Sequence, residues 1–337
     1  MLYKLNIQLL MPGDIILTGR NGKVSREIQR RTNSKYSHAM LYWYGSILHA
    51  SDIVITENPS RMLFEEDEAV CVLRLKDDIW NWYMIQSMID YARTLVGTYY
   101  DMEALIAIRN CREATPKENR QMCAKYVAQC YDSVGLDLVE GEYELCTPED
   151  IYNSKIMRRI EIPLWEATQE DEDFANSYDV TEVQHKAIKK SLELLNKEFP
   201  KEDIVCLNQL EAFIKNNPTC GDTVLELLKQ TDYFNLWKIE KEHCPYNYDA
   251  DEFKKMWKGS AAKMACSVES DSERIAAEKE REIAIYKYWI ETIGDLKYYR
   301  EMIALKYNII SAAKERIAVA QQVKRELGIV KIKFPWS

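Results

Sequence analysis

The segment Tyr36-Ser-His-Ala-Met-Leu-Tyr-Trp-Tyr-Gly-Ser-Ile-Leu-His-Ala-Ser51 constrains this chain more than any other. Two runs of aromatic and apolar residues flank Gly45-Ser46, the pattern of a β-hairpin closed by a tight turn. Alternate residues of a strand share a face, so His38, Met40 and Tyr42 point one way while Ala39, Leu41 and Trp43 point the other. His49 shares a face with Ile47 and Ser51. With the turn at Gly45-Ser46, His49 lies across from His38 or one pair diagonal to it, within side-chain reach.

The second informative segment is Asn119-Arg-Gln-Met-Cys-Ala-Lys-Tyr-Val-Ala-Gln-Cys-Tyr131, which places a cysteine near the start of a helix. Thr115-Pro-Lys-Glu118 is a capping box with proline in the first helical position, and it allows a helix to Val134, stopped by Gly135. If that helix is unbroken, Cys123 sits two turns in and gains little from the helix dipole. If a turn ends near Asn119 and a new helix opens around Gln121, the thiol stands at a helix N-terminus, where its pKa is lowered. A cysteine carries some thiolate at neutral pH and gains most from a neighbouring imidazole, so Cys123 is the candidate nucleophile. One histidine takes the thiol proton and the other fixes its tautomer, which is the minimum kit for acyl transfer through a thioester. The competing reading is plain packing. Cys123, Val127, Cys130 and Val134 fall on one helical stripe, and either histidine fits a core site satisfied by backbone carbonyls.

Around these segments the first half alternates short strands and helices. Pro12-Gly13 is a turn feeding Asp14-Ile-Ile-Leu-Thr18, closed by Gly19-Arg-Asn-Gly22. Val24 to Arg31 has helical spacing, Ile-Val-Ile-Thr-Glu57 is a third strand of the hairpin, and Ala69 to Leu75 is a further strand. Asp77 to Val96 reads as a helix capped by Gly97; Thr147-Pro-Glu-Asp150 opens another helix, and Arg159 to Leu164 reads as a last strand.

Several of these stretches, taken in order, resemble the landmarks of one family: Pro-Gly-Asp-Ile-Ile-Leu17, Tyr-Ser-His-Ala-Met40, Ile-Leu-His-Ala-Ser51, Val-Leu-Arg-Leu75, Val-Gly-Thr-Tyr-Tyr-Asp101, Asn-Arg-Gln-Met-Cys123 with the residues after it, and Cys-Thr-Pro-Glu-Asp150. The series is similar to the circularly permuted NlpC-type, papain-like hydrolases, the YiiX/YaeF-like group related to lecithin retinol acyltransferase, over about residues 12 to 155. The histidine strand precedes the cysteine helix in that group, as here. The resemblance implies Cys123 as nucleophile, His38 as base and His49 as third polar residue, the position where many bacterial members resemble Glu and the acyltransferase branch His. Glu57 is the reserve candidate for that third role. Departures are Ala124-Lys125-Tyr126 after the cysteine, where Ser-Glu-Leu is common, and the chain beyond 165, which has no counterpart. The Gly-x-x-Tyr-Asp landmark looks towards the cysteine in such folds, which makes Tyr100 and Asp101 candidate substrate contacts; a packed tyrosine with Asp101 capping the next helix is the alternative. An oxyanion hole draws on the Cys123 backbone N–H and one further donor.

The second half changes character. Trp165 to Asp179 is acidic with little periodicity, a linker by its composition, and from Thr181 the chain is helical. Trp289, Leu296, Ile303, Ile310 and Ile317 recur at seven-residue steps, with Ile293, Tyr307, Ala313 and Ala320 filling the stripe until Gly328. One long helix or a hairpin broken at Gly294-Asp295 fits this pattern; the unbroken repeat favours the long helix. Such a stripe serves internal packing or, alternatively, a coiled-coil protein partner.

The expected architecture is therefore α+β: a permuted papain-like catalytic domain over residues 1–165, an antiparallel sheet packed on the cysteine-bearing helix, then an acidic linker over 166–180 and an α-helical accessory domain over 181–337. A net charge of −9 argues against a nucleic-acid partner. No window has transmembrane length and the N-terminus lacks signal-peptide features, so a cytoplasmic protein is the default, while export without a cleavable signal fits the same facts. The nine cysteines form no Cys-x-x-Cys pair and, with His243, show no zinc spacing, so neither metal nor cofactor is expected. The expected function is a cysteine hydrolase acting on a cell-wall peptide, a protein side-chain amide or a lipid acyl bond, with a secreted effector as a coherent context. Its rival is a non-catalytic scaffold working through the helical half.

Overall fold

In the computed structural model, which describes residues 1–109, 117 and 119–329, the chain separates into two units, Met1–Ser177 and Tyr178–Ser337. The strands of the first are β1 (Leu2–Leu5), β2 (Ile15–Gly19), β3 (His38–Trp43), β4 (Ser46–Ala50), β5 (Val54–Glu57), β6 (Leu63–Glu65), β7 (Ala69–Leu75), β8 (Met157–Ile160) and β9 (Leu164–Glu166). They make a six-stranded sheet in the order β5-β4-β3-β2-β7-β8 and a three-stranded sheet in the order β6-β1-β9. Its helices are α1 (Lys23–Thr32), α2 (Trp82–Thr94), α3 (Met102–Arg109), α4 (Cys123–Asp132), α5 (Pro148–Tyr152) and α6 (Gln169–Asn176). An antiparallel sheet packed on the cysteine-bearing helix is what the sequence led one to expect.

Alternation along the strands sorts the core into two layers. Ala39, Leu41 and Trp43 of β3 join Ile15 and Leu17 of β2 against α2 and α4, while Met40 and Tyr42 join Ile16, Leu5 and Phe64 on the other side. The hairpin pairs Leu41 with Leu48 and Trp43 with Ser46, so the turn is Tyr44-Gly45, one residue earlier than expected. Both turn residues have positive φ, +24° and +65°, as a two-residue hairpin turn demands. Continuing that register sets His49 opposite Met40 and diagonal to His38.

The Pro-Gly-Asp landmark proves to be structural. Gly13 has φ +85°, and a Cβ there would stand 2.7 Å from Ile85 Cδ1, so any other residue would be strained at this bend and would push the Ile85 side chain aside. Its carbonyl accepts the buried Tyr131 hydroxyl from α4. Asp14, wholly buried, receives Arg74 of β7 through Nε at 2.7 Å and Nη2 at 2.7 Å, and the Met11 amide at 2.8 Å. This bidentate pair clamps β7 to the chain entering β2.

Two expectations are corrected here. The acidic stretch read as a linker ends a strand, β9, and then forms α6, opened by a capping box of Thr168 and Asp171. Lys4 of β1 pairs with Asp171 at 2.6 Å, and Arg61 bonds the carbonyl of Ser177 at 3.0 Å, so the acidity is used for capping and docking. The second correction is at the chain end. The second unit consists of α7 (Val180–Glu198), α8 (Gln209–Asn216), α9 (Gly221–Lys229), α10 (Leu236–His243), α11 (Ala250–Met256), α12 (Ala261–Thr292) and α13 (Lys297–Glu326). The expected single long helix is a hairpin: Gly294 takes φ +139°, open only to glycine, and the two helices fold back on each other. Ala276 and Ile283 of α12 pack on Ile310 and Ala313 of α13, and Glu282–Lys306 and Glu269–Lys324 pairs tie the two together. Of the seven-residue stripe, Ile310 and Ala313, with Ile303 beside them, pack on α12, while Leu296 lies against Gly221 of α9 and Tyr307 stays exposed.

Arg74→Met would leave Asp14 buried without its cation. The expected loss is about 3–5 kcal/mol, measured as faster hydrogen exchange of the β2 amides under increasing urea; a loss below about 1 kcal/mol would mean that water already screens the pair.

Candidate active site

Of the two helix starts left open by the sequence, the structure takes the later one. Helix α4 begins at Cys123 itself, with Met122 as its N-cap in extended conformation, so the thiol occupies the first helical position. The Thr115–Glu118 capping box lies outside the described residues. The approach to the cysteine is held from both sides. Gln121 donates its backbone N–H to Tyr99 and accepts at its carbonyl from Asp101, while buried Lys125 reaches back to the carbonyls of Lys117 at 2.8 Å and Arg120 at 2.9 Å. The departure at Lys125 thus has a local purpose: its ammonium satisfies carbonyls of the incoming loop, which an acidic side chain at that position could not do.

The Cys123 sulfur meets the sheet at the start of β3, where Sγ lies 3.9 Å from the carbonyl oxygen of Ser37. The backbone amide of Ala39 also acts on the sulfur, so the peptide groups on both sides of His38 hold the thiol. The His38 ring is engaged elsewhere: its Nε2 lies 2.8 Å from His49 Nδ1, the rings perpendicular with centroids 4.9 Å apart. His49 is buried, and its Nε2 faces Glu57 Oε2 at 3.3 Å. Glu57, at the end of β5 and opposite Ile47, is diagonal to His49 in the sheet, a placement that follows from the register of β4 with β5. In this resting state the thiol bonds a carbonyl rather than an imidazole, the two imidazoles bond each other, and His49 Nε2 lies within ion-pair distance of Glu57 without a hydrogen bond to it.

Burial governs the charges. It pushes the Cys123 thiol up from its ordinary value, against the backbone N–H groups of Ala39 and Ala124, the Tyr100 hydroxyl and the cysteine's own N–H, all of which favour thiolate. Burial likewise pushes His38 well below its ordinary value, and the neighbouring His49 and Arg20 add to the effect. The helix N-terminus therefore does not produce a preformed thiolate here: desolvation outweighs it, and the resting pair is thiol and neutral imidazole.

The two other candidates separate. Tyr100 borders the thiol, and burial, followed by the nearby Cys123, keeps its hydroxyl protonated far above the usual range. Of its two expected readings, Asp101 shows the capping one. It is buried, with Oδ1 accepting the Ala104 amide at 3.0 Å and Oδ2 the Lys117 amide at 2.9 Å, so it caps α3 and anchors the loop before the cysteine. Among the described residues no group of three or more His, Cys, Asp or Glu side chains is arranged to hold a metal ion, and no helix is long and apolar enough to cross a membrane.

The model of the permuted papain-like amidases, YaeF/YiiX, C92 family, matches residues 9–182. The chain belongs to this family. The match includes the histidine hairpin, the cysteine helix and the acidic α6, and it supports an amidase-type cysteine hydrolase in general terms. Among solved structures, the metalloprotein yiiX from Escherichia coli O157:H7 is 16% identical, with 45% of this chain and 97% of that chain covered and a TM-score of 0.38. No curated protein matches the chain.

A raised thiol pKa has a direct consequence. Alkylation of Cys123 by iodoacetamide, followed by peptide mass spectrometry, is expected to keep accelerating above pH 9.0, the ordinary thiol value. A rate that levels off by neutral pH would instead reveal a standing thiolate.

Proposed function

We propose that this protein is a cysteine hydrolase of amide or ester acyl bonds, with Cys123 as nucleophile, His38 as general base and His49 as the group that orients it. The observation that carries the reading is the position of the sulfur between the peptide groups flanking His38 while the ring's Nε2 is engaged by His49. That contact leaves His38 Nδ1 as the nitrogen for the thiol proton. A proton passing from sulfur to Nδ1 as the carbonyl is attacked needs neither group charged beforehand, which suits a buried thiol and a half-buried imidazole kept neutral by its surroundings.

We read His49 and Glu57, the two candidates for the third residue, as acting in series. With Glu57 Oε2 3.3 Å away, although not hydrogen-bonded in the resting geometry, the proton of His49 is assigned to Nε2, which makes His49 Nδ1 an acceptor. His38 Nε2 must then donate across the 2.8 Å contact, and its Nδ1 carries the lone pair that the mechanism needs. For the oxyanion the proposed donors are the Cys123 backbone N–H, which at rest is directed to the Tyr100 hydroxyl oxygen, and that hydroxyl, which at rest is directed to the sulfur; both turn to the substrate oxygen when it arrives. Attack forms the S–C bond and expels the amine or alcohol, which takes the proton from His38; water then cleaves the thioester with His38 again as base.

Intact mass after incubation with acyl esters is expected to show an adduct on wild type and none on Cys123→Ala. His38→Ala should slow acylation about 10²–10⁴-fold. Glu57→Ala should cost about 10-fold to 100-fold, whereas Glu57→Gln keeps an acceptor for His49 and most of the rate. A lowered His38 pKa keeps the base neutral, so the acid limb of kcat/KM should lie below 6.5. Equal acylation of wild type and His38→Ala would remove the base from the mechanism.

A further inference from the structure

The helical hairpin of the second unit turns one face outward, and that face is divided by charge. Helix α12 exposes Glu273, Glu280 and Glu291 there, with Ala277, Ala284 and Tyr288 between them. Helix α13 exposes Arg300, Lys314 and Arg325, with Ala304, Tyr307 and Ser311 between them, a row without a carboxylate. Steps of three and four residues separate successive members from Glu273 to Glu291 and from Arg300 to Lys314, so each set is one continuous stripe. Lys287 of α12 donates to the Tyr307 hydroxyl of α13 at 3.4 Å, which puts the two stripes on the same side of the hairpin.

Two features set this face apart from the rest of the hairpin. It leaves large side chains in water, Tyr288 at 61% exposure and Tyr307 at 51%. It also leaves charges unpaired. Elsewhere on the two helices Glu269 is paired with Lys324, Glu282 with Lys279 and Lys306, Glu301 with Lys229 and Glu315 with Lys241. Among the described residues Glu273, Glu280, Glu291 and Lys314 form no ion pair.

The missing partners are present on the same face at matching heights. The cross-links Glu282–Lys306 and Ser272–Arg316 fix which residues of the two antiparallel helices stand level. Counting from those links, Glu273 stands within one residue of Lys314, and Glu291 stands level with Lys297, one turn from Arg300. Tyr307 falls between the heights of Ala277 and Ala284, and Tyr288 falls beside Arg300 and Ala304. Each stripe thus carries a cation where the other has a carboxylate and a tyrosine where the other has alanine. Lying side by side and facing the same way, the two stripes cannot meet within one chain. A two-fold axis parallel to the hairpin keeps every height and lays α12 of one copy on α13 of the other.

We propose that this face is a dimerisation surface, on which a second copy of the chain packs its own hairpin to form an antiparallel four-helix bundle. Glu273 and Glu291 of one copy meet Lys314 and Arg300 of the other, and each Tyr307 covers the facing alanines. Burial of the tyrosines supplies affinity, while the charges fix the register and exclude α12 on α12, which would set carboxylate against carboxylate. This surface is independent of the hydrolase reading.

The test is sedimentation velocity of the full chain over a rising concentration series, in which wild type should pass from monomer to twice the monomer mass. Glu273→Lys with Glu291→Lys, and separately Arg300→Glu with Lys314→Glu, should each weaken association about 100-fold, with thermal melting little changed because exposed ion pairs are worth little. Tyr307→Ser, which alters no charge, should weaken it about 10-fold. Mixed in equal amounts, the two charge-reversed variants should recover a heterodimer, since each presents the charge that the other has lost. A wild type that stays monomeric throughout would overturn the proposal, and so would a dimer that survives both reversals or a pair of reversed variants that fails to recover on mixing.

Discussion

The 2.8 Å contact between His38 and His49 is the interaction on which the site is built, and it depends on strand register. A shift of one residue between β3 and β4 would send one of the rings to the opposite face of the sheet. The two-residue turn at Tyr44-Gly45, with both residues at positive φ, prevents that shift. The same register carries on into β5 and brings Glu57 beside His49, so one hairpin and its neighbouring strand assemble an imidazole, a second imidazole and a carboxylate in a row. The clamp between Asp14 and Arg74 holds the other side of the sheet, and Tyr131 ties the cysteine helix to the bend at Gly13.

Against this rigid row the cysteine is set by its helix rather than by the sheet. Placing Cys123 at the first position of α4 gives it the N–H groups of a helix start, yet burial dominates and keeps the thiol protonated. A buried thiol held by backbone groups is less reactive towards stray electrophiles than an exposed thiolate. In the proposed mechanism the charge appears only as the proton moves, when a substrate carbonyl is present to take the electron pair.

Much of this was legible in the sequence, and for physical reasons. The hairpin followed from strict alternation around a glycine turn, which also put both histidines on one face; the Thr147 cap followed from a proline after threonine. The start of α4 was not, because the stripe of Cys123, Val127, Cys130 and Val134 fits a helix beginning at either place, and the choice is made by tertiary bonds from Lys125 and Asp101. Capping of the next helix was one of two readings of Asp101; its second bond, to the Lys117 amide, was not legible because that amide comes from a separate segment. The acidic α6 looked like a linker because its charges serve partners, Lys4 and its own N-terminus, that are distant or backbone. Gly294 hid the hairpin because the heptad repeat is unchanged by folding the helix back on itself.

The tautomers of the two site histidines test the central claim most directly. With four histidines in the chain, long-range proton–nitrogen spectra of the imidazoles can be assigned by single substitutions. The row of contacts requires His38 to carry its proton on Nε2 with Nδ1 bare, His49 to carry its proton on Nε2, and the His38 Nδ1 signal to shift when Cys123 is alkylated. A proton on His38 Nδ1, or a His38 signal indifferent to Cys123, would contradict a thiol and imidazole working as one unit.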